Sequence, residues 1–472
     1  LMAGVKTTHP AYDRMLPQWQ KCSDVVAGQR AVHMGGEKYL PKNGAEEDAE
    51  FRSRIARSDF FNASWRTIAG LAGMAFRKDP TIEVPAAIEP MLADIDLAGK
   101  TLYALAKDLT EDVLEQGRMG LLVDHPPMGA TPISQAVAER NGIRPAVKVY
   151  DAKCITNWRY EKRGNATVLA MVTMTEEART RKDEFEDVVE THYRVLDLDD
   201  AGFYRQRVFA VRDGADVVIE GPIYPVRRGA KLAYIPFRIV GVNGMGGEVE
   251  EPPLIDLADA NIAHYQVNSD IRVAMHFGVP TFVISGLRQE PEAAPIMVGS
   301  HTAILLDDPQ AKAYFAEPNG YMLPEMRAAL KEIEQRMAIL GARMIADETR
   351  QAETLGATQI KRASENSVMA SAVIAISEAV QWALAEMADW VGASGECKFE
   401  ISREFNPLGL PAQELSAIFA GVQQGIISEQ EAFTLLQRAD LIDGEKTFDE
   451  HQEEVGQTSL PAPVAPANDL AA

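Results

Sequence analysis

Cysteine is scarce: Cys22, Cys154 and Cys397 are the only three in 472 residues, far apart, odd in number and outside any CxxC or Cys/His cluster. A disulfide framework or a clustered zinc site is therefore not expected, and a reducing compartment fits. Long apolar runs are missing as well. No window reaches the roughly 18 to 20 uninterrupted apolar residues of a membrane span. The first residues, LMAGVKTTHPAYDR, lack a basic region followed by an apolar run, so the expectation is neither a signal peptide nor a membrane anchor. Positive charge is short, with 47 Lys and Arg against 69 Asp and Glu and a net charge of −22. Static capture of nucleic acid needs cations that neutralise phosphates, so this balance argues against a basic binding face without excluding contact with moving DNA.

Catalytic signatures are lacking too. There is no GxSxG elbow, no HExxH and no Cys with a readable His partner. The eight histidines are scattered, and His264 and His276 lie twelve apart on one expected helix rather than at a ligand spacing. Asp197, Asp199 and Gly202 imitate a calcium loop, but Ala201 and Val208 occupy positions that need oxygen ligands. Glycines from Gly241 to Gly247 lack the ending of a phosphate-gripping loop. The expectation is no enzyme activity, no cofactor and no metal.

What is present begins with ordinary globular composition, 46% hydrophobic and 25% charged, in a chain long enough for two to four units. The organising stretch runs from Tyr321 to Gly392. Met326, Leu330, Ile333, Met337, Leu340 and Met344 alternate steps of four and three, a seam-like stripe on one helix that Pro324 can help to open. The expected rod is about 20 residues, or roughly 30 Å. Met369, Val373, Ile376, Val380, Leu384, Met387 and Val391 repeat the pattern on a second rod. Between them the polar segment 346–367 reads ADETRQAETLGATQIKRASENS.

Upstream, Phe51, Ile55, Phe61, Trp65, Ile68 and Ala72 step at helical spacing, and a further helix is expected from about Thr101 to Gln116, followed by the apolar run MGLLV. From Pro145 to Val240 the period moves toward 2. The runs AVKVY, TVLAMVTMT, ETHYRVLDL, FYRQRVFAV, DVVIE and YIPFRIV read as strands of an antiparallel unit, with Asp213-Gly214 as a hairpin turn. A Gly/Pro junction precedes a helix from Leu254 to Phe277. Short strands TFVISG, AILLD and AKAYF then fill Gly278 to Tyr321. After Pro411 come two short helices, the second opened by the box Ser428–Glu431 and continued by Phe433, Leu436 and Leu441. The Pro/Ala tail 456–472 is too poor in apolar side chains to fold.

On the stretches FRSRIARSDFFNASWRTIAGLAGMAFRKDP, PPLIDLADANIAHYQVNSDIRVAMHFGVPTFVISG and LGARMIADETRQAETLGATQIKRASENSVMASAVIAISEAVQWALAEMADWVG, the chain resembles portal, or head-to-tail connector, proteins of tailed bacteriophages. More narrowly it resembles a phage family of that type often described only as a domain of unknown function. The resemblance implies an α+β ring subunit: wing 1–253 (helices, then antiparallel β), stem helix 254–277, β clip 278–321, stem helix 322–345, tunnel loop 346–367, long wing helix and return 368–410, crown 411–455 and disordered tail 456–472.

It further implies a homo-oligomeric ring, usually of twelve copies, at the capsid vertex of the virion, assembled in the host cytoplasm and outside any membrane. Double-stranded DNA would be packaged and ejected through it. Its partners would be the major capsid protein, the packaging terminase and a tail or adaptor protein. Twelve copies would carry roughly −264 of charge, so a duplex would be guided without being held. Arg350, Lys361 and Arg362 are the candidates to face DNA, against pairing with Glu348, Glu353 or Glu365. Gly341 and Gly356 are candidate hinges of the tunnel loop. Two other readings stand beside this one: a soluble α+β enzyme with an unrecognised active site, and another oligomeric virion or scaffold protein. Two rods bracketing a small β insertion separate them, because a monomeric enzyme has no need of that arrangement.

Overall fold

A computed structural model of the chain describes residues 4–125, 143–278, 281–285, 312–316, 322–343, 368–403, 405, 422, 427–438, 442 and 446–452. The chain divides into two units, Leu1–Arg403 and Glu404–Ala472, and both helices and antiparallel sheets are present, as the α+β expectation required.

The first unit opens on a helix whose start is written locally. Pro10 begins α1 (Pro10–Ala27), where its missing N–H costs nothing, and His9 accepts the Ala11 amide at 3.1 Å. Next come α2 (Gln29–Gly35), α3 (Asp48–Arg57) and α4 (Ala63–Ala75), the last capped by Asn62, whose Oδ1 accepts the Trp65 amide at 3.0 Å. The periodic reading across Phe51 to Ala72 crosses a break here. The Ser58 amide caps the end of α3, so Phe60 is buried while Phe61 and Trp65 are 44% and 52% exposed. Strand β1 (Thr81–Glu83) follows, and then α5 (Leu102–Gln116), which starts on the Thr101 hydroxyl and ends at left-handed Gly117.

Two sheets come next. Strands β2 (Arg118–Asp124) and β3 (Ala146–Asp151) belong to one sheet. The strands β4 (Ile155–Arg163), β5 (Ala166–Arg181), β6 (Asp187–Leu198), β7 (Tyr204–Arg212) and β8 (Ala215–Ile223) form an up-and-down sheet of their own. Its last hairpin turns at Asp213 and Gly214, both at positive φ (51° and 78°), the geometry a two-residue turn demands. A small ribbon, β9 (Val226–Arg227) with β10 (Ala230–Lys231), leads to β11 (Phe237–Gly241) and β12 (Gly244–Met245), which complete the first sheet in the order β12-β11-β2-β3. Trp19 of α1, Leu122 and Phe237 of this sheet, and Ile155, Trp158, Val172 and Leu196 of the five-stranded sheet share one core. Gly120 makes the close packing possible: a Cβ there would lie 2.4 Å from the Phe237 ring.

Beyond the sheets lie α6 (Ile255–Phe277), β13 (Thr281–Ser285), β14 (Lys312–Ala316), α7 (Met322–Arg343) and α8 (Val368–Val391). Helix α8 is the main core helix. It packs on α5, β2, β11 and β12, with Met369, Val373, Ile376, Val380, Leu384 and Met387 all buried and, after Val368 at its start, a narrow line at 374, 378, 381, 385 and 389 exposed. By length and composition it could cross a membrane, but most of it is buried inside this unit. Strand β15 (Lys398–Glu400) then pairs antiparallel with β1, Thr81 opposite Glu400.

In the second unit, α9 (Glu429–Arg438) carries the expected box. The Ser428 amide donates to Glu431 Oε2 at 3.0 Å, and the Glu431 amide to Ser428 Oγ at 3.1 Å. Phe433 is buried, with the Phe448 ring 5.4 Å away. The expected strand AILLD, the first short helix after Pro411 except residue 422, Leu441 and the tail 456–472 lie outside the described residues.

Candidate functional site

The two rods expected on either side of a β insertion are α6 and α7. Strand β13 pairs antiparallel with β14, Thr281 opposite Ala316, so the helix that enters this hairpin and the helix that leaves it are antiparallel neighbours. At 1.5 Å per residue they measure about 35 and 33 Å, and they pack on each other along their length.

Helix α7 is covered on the predicted stripe. Met326, Leu330, Ile333 and Leu340 are half-buried and Met337 is 4% exposed, while Ile339 is 55% exposed and the charged positions Arg327, Lys331, Glu332, Glu334 and Arg336 face solvent. A single stripe of this width covers one partner helix and leaves the other sides bare. Gly341 lies inside this continuous helix, and its absent side chain lets α7 approach α4: a Cβ there would sit 3.3 Å from Thr67 Oγ1 and Cγ2.

Helix α6 is held differently at its two ends. Its first half is locked to the body through Asn261, fully buried, whose Oδ1 accepts the Ala63 and Ser64 amides at 3.2 Å and the Ser64 hydroxyl at 3.1 Å. Its Nδ2 donates to the Phe61 carbonyl at 2.7 Å. One remote amide side chain thus satisfies the first two amides of α4, while the local cap Asn62 holds the Trp65 amide. Lys21–Asp259 at 2.6 Å, the Gln266 bond to the Tyr39 carbonyl at 2.8 Å and the Arg272–Asp59 ion pair add further ties. Burial pushes the Tyr265 phenol up to about 12 on the same side of the helix. Toward the hairpin, Asp270, Arg272, Met275 and His276 are exposed. His264 Nε2, buried, meets Glu334 Oε1 at 3.4 Å and ties α6 to α7.

The hairpin exposes Tyr314 and Phe315 at 50% and 60%. Arg350, Gly356, Lys361 and Arg362 lie outside the described residues, so of the sequence-derived candidates only Gly341 has a described place. Sequence reasoning missed Asn261 and the His264–Glu334 contact, whose partners come from remote parts of the chain. Among the described residues no group of three or more His, Cys, Asp or Glu is arranged to hold a metal ion.

The block from α6 through α8 is also the part a family model recognises. Residues 253–391 match the domain of unknown function DUF4055. No curated protein matches the chain. Among solved structures it is similar to a chain from the virion of a native gene transfer agent (GTA) particle, at 13% identity over 87% of this chain and 98% of that one, with a TM-score of 0.39. It is also similar to a chain in the neck of an empty GTA particle computed with C6 symmetry, at 14% identity, 79% and 89% coverage and a TM-score of 0.38. A third chain, from the neck of a native GTA particle computed with C12 symmetry, has 12% identity, 85% and 98% coverage and a TM-score of 0.39.

Proposed function

We propose that this protein is a phage-type portal subunit: a non-catalytic ring component at the capsid vertex of a virion, through which double-stranded DNA is packaged and ejected. The observation that carries the reading is the pair α6 and α7, held at one end through Asn261 and bearing a β hairpin at the other, with α7 covered on one stripe and bare on its outer sides. A helix that buries one stripe in its own chain and keeps two long sides free suits lateral packing against further copies, and head-to-tail contacts that close generate rings. The sequence resemblance assigns the same elements as stem and clip and 346–367 as tunnel loop; the charge of that loop then puts Arg350, Lys361 and Arg362 toward DNA, and glycine's backbone freedom makes Gly341 and Gly356 the candidate hinges. The partners are then about twelve copies of this chain, the major capsid protein, a terminase and a tail or adaptor protein. The acidic balance suits a bore that does not grip phosphate.

Two measurements test it. Purified protein viewed by negative stain should show rings with a central hole, and a strictly monomeric mass at every concentration overturns the reading. In particles, Lys361→Glu with Arg362→Glu should leave rings intact and lower the yield of full-length packaged genomes, whereas the same pair changed to Gln should be milder. Parental packaging by the Glu variant removes the DNA-facing assignment.

A further inference from the structure

The five-stranded sheet has two ends of opposite chemistry. At one end, β8 pairs with β7 on one side and, among the described residues, with no strand on the other. Every residue from Ala215 to Pro222 is exposed, including Val217, Val218 and Ile219 at 37%, 50% and 39%. Bulges opposite Gln206 and Val208, together with Pro222, blunt only its second half. Edge strands with a run of branched apolar side chains and no lysine are the kind that soluble chains avoid unless something covers them. The charges here are acidic: Asp216, which accepts the Val5 amide, and Glu220, neither in an ion pair among the described residues.

The other end is basic. The start of β4 is covered by the N-terminal segment, through His9 to the Thr156 carbonyl and Asn157 to the Thr7 carbonyl, both at 2.9 Å. Its second half is open to solvent, apart from one side of the Tyr160 ring, which packs on Gly247 and leaves the ring 36% exposed. Arg159, Tyr160, Lys162 and Arg163 are exposed there, and of the three cations only Arg159 has an ion-pair partner among the described residues, Glu161 at 2.9 Å.

We infer that β8 of one copy docks on the β4–β5 hairpin of a second copy, with Asp216 and Glu220 against Lys162 and Arg163, and Val217, Val218 and Ile219 against the Tyr160 ring and the lysine and arginine stems. The sign of the charges selects this arrangement. A two-fold pairing of β8 with itself would set acid against acid, whereas the head-to-tail contact sets acid against base and repeats around a ring. The contact is made by side chains rather than by a continuous ladder. Strand twist of about 20–25° per step turns β8 roughly a right angle from β4 over four steps, so the two edges cross.

The inference rests on the ring reading, and charge exchange separates the two. Lys162→Glu with Arg163→Glu, and separately Asp216→Lys with Glu220→Lys, should each raise the concentration needed for assembly about tenfold or more, read by mass photometry and sedimentation; the second variant also gives up the bond from the Val5 amide to Asp216, and recovery in the four-change chain, which lacks that bond too, separates the two causes. All four changes in one chain should restore assembly. An equimolar mixture of the two variants should co-assemble, alternating, where neither assembles alone. If the parent forms rings and both variants do so at the same concentration, the joint is elsewhere and the ring stands. If each variant fails and neither the combination nor the mixture recovers, the pairing is wrong. A parent monomeric throughout overturns the ring reading and this joint with it.

Discussion

Replacing Asn261 by Ala should loosen the whole helix pair. The side chain is fully buried and makes four hydrogen bonds, and its loss leaves the Ser64 amide and hydroxyl without another partner among the described residues. The Ala63 amide keeps a second acceptor, the Phe61 carbonyl at 2.9 Å, but the Ser64 amide and hydroxyl and the Phe61 carbonyl lose the Asn261 partner. Ser64 is fully buried. A lost cap costs about 1 kcal/mol and each buried unsatisfied group about 1–3; allowing for relaxation and partial hydration, the expected loss is about 2–4 kcal/mol. Denaturant unfolding followed by tryptophan fluorescence measures it as a lower midpoint at unchanged slope. Asn261→Asp provides the internal comparison, because it keeps the acceptors and places negative charge at the α4 N-terminus, where the helix dipole favours it. It should lose roughly half as much at neutral pH or less. An Ala variant within about 0.5 kcal/mol of the parent, an ordinary surface effect, would refute the assignment of Asn261 as the anchor of α6.

Two further outcomes follow from buried charge. Arg118 is 1% exposed, its three guanidinium nitrogens have no hydrogen-bond partner among the described residues, and burial lowers its pKa to about 10, leaving the Trp158 face at 3.8 Å as its main compensation. Arg118→Met should therefore be neutral or stabilising by about 1–2 kcal/mol, and a loss above about 2 in the same unfolding assay would expose an unrecognised partner for the cation. For Glu176, burial alone would raise the carboxyl, yet hydrogen bonds from Arg194 at 2.7 Å and Tyr150 at 2.6 Å hold it below its ordinary value. A depressed carboxylate contributes stability above its unfolded pKa, near 4.3, and loses it as pH falls through the folded value. Arg194→Met should thus cost stability at pH 7 and flatten the fall in stability below about pH 4.5, and an unchanged acid limb would sink that account.

Much of this architecture was written in local steps. The stripe from Met326 to Leu340 was legible because a four-three alternation has one geometric meaning, and Asp213-Gly214 because both residues tolerate positive φ. Helix α1 carried an equally regular set, Tyr12, Met15, Trp19, Cys22 and Val25, all buried, but Pro17 inside it disguised the pattern. Strand β4 was missed because Arg159, Glu161, Lys162 and Arg163 crowd a strand whose edge faces water. Asn261 had no local signal at all: a lone amide in a helix becomes an anchor only when α4 arrives from two hundred positions away. The paired strands β13 and β14 were read correctly, since their turn-flanked apolar runs sit between two helices of opposite direction.

The pairing of β1 with β15 has a consequence for how the chain comes off the ribosome. Thr81 emerges early and its partner Glu400 very late, and α8, the main core helix, is made just before β15. The five-stranded sheet can form by neighbouring hairpins as it appears, but the platform that α8 covers stays open until the helix pair has been synthesised and passed by. Closing so long a loop adds little entropy beyond that of a moderate one, since the cost grows only with the logarithm of length. The delay matters more than the cost: during it β2, β11 and the apolar side of α5 stay uncovered, and transiently exposed apolar surface of that kind is where a nascent chain can misassociate.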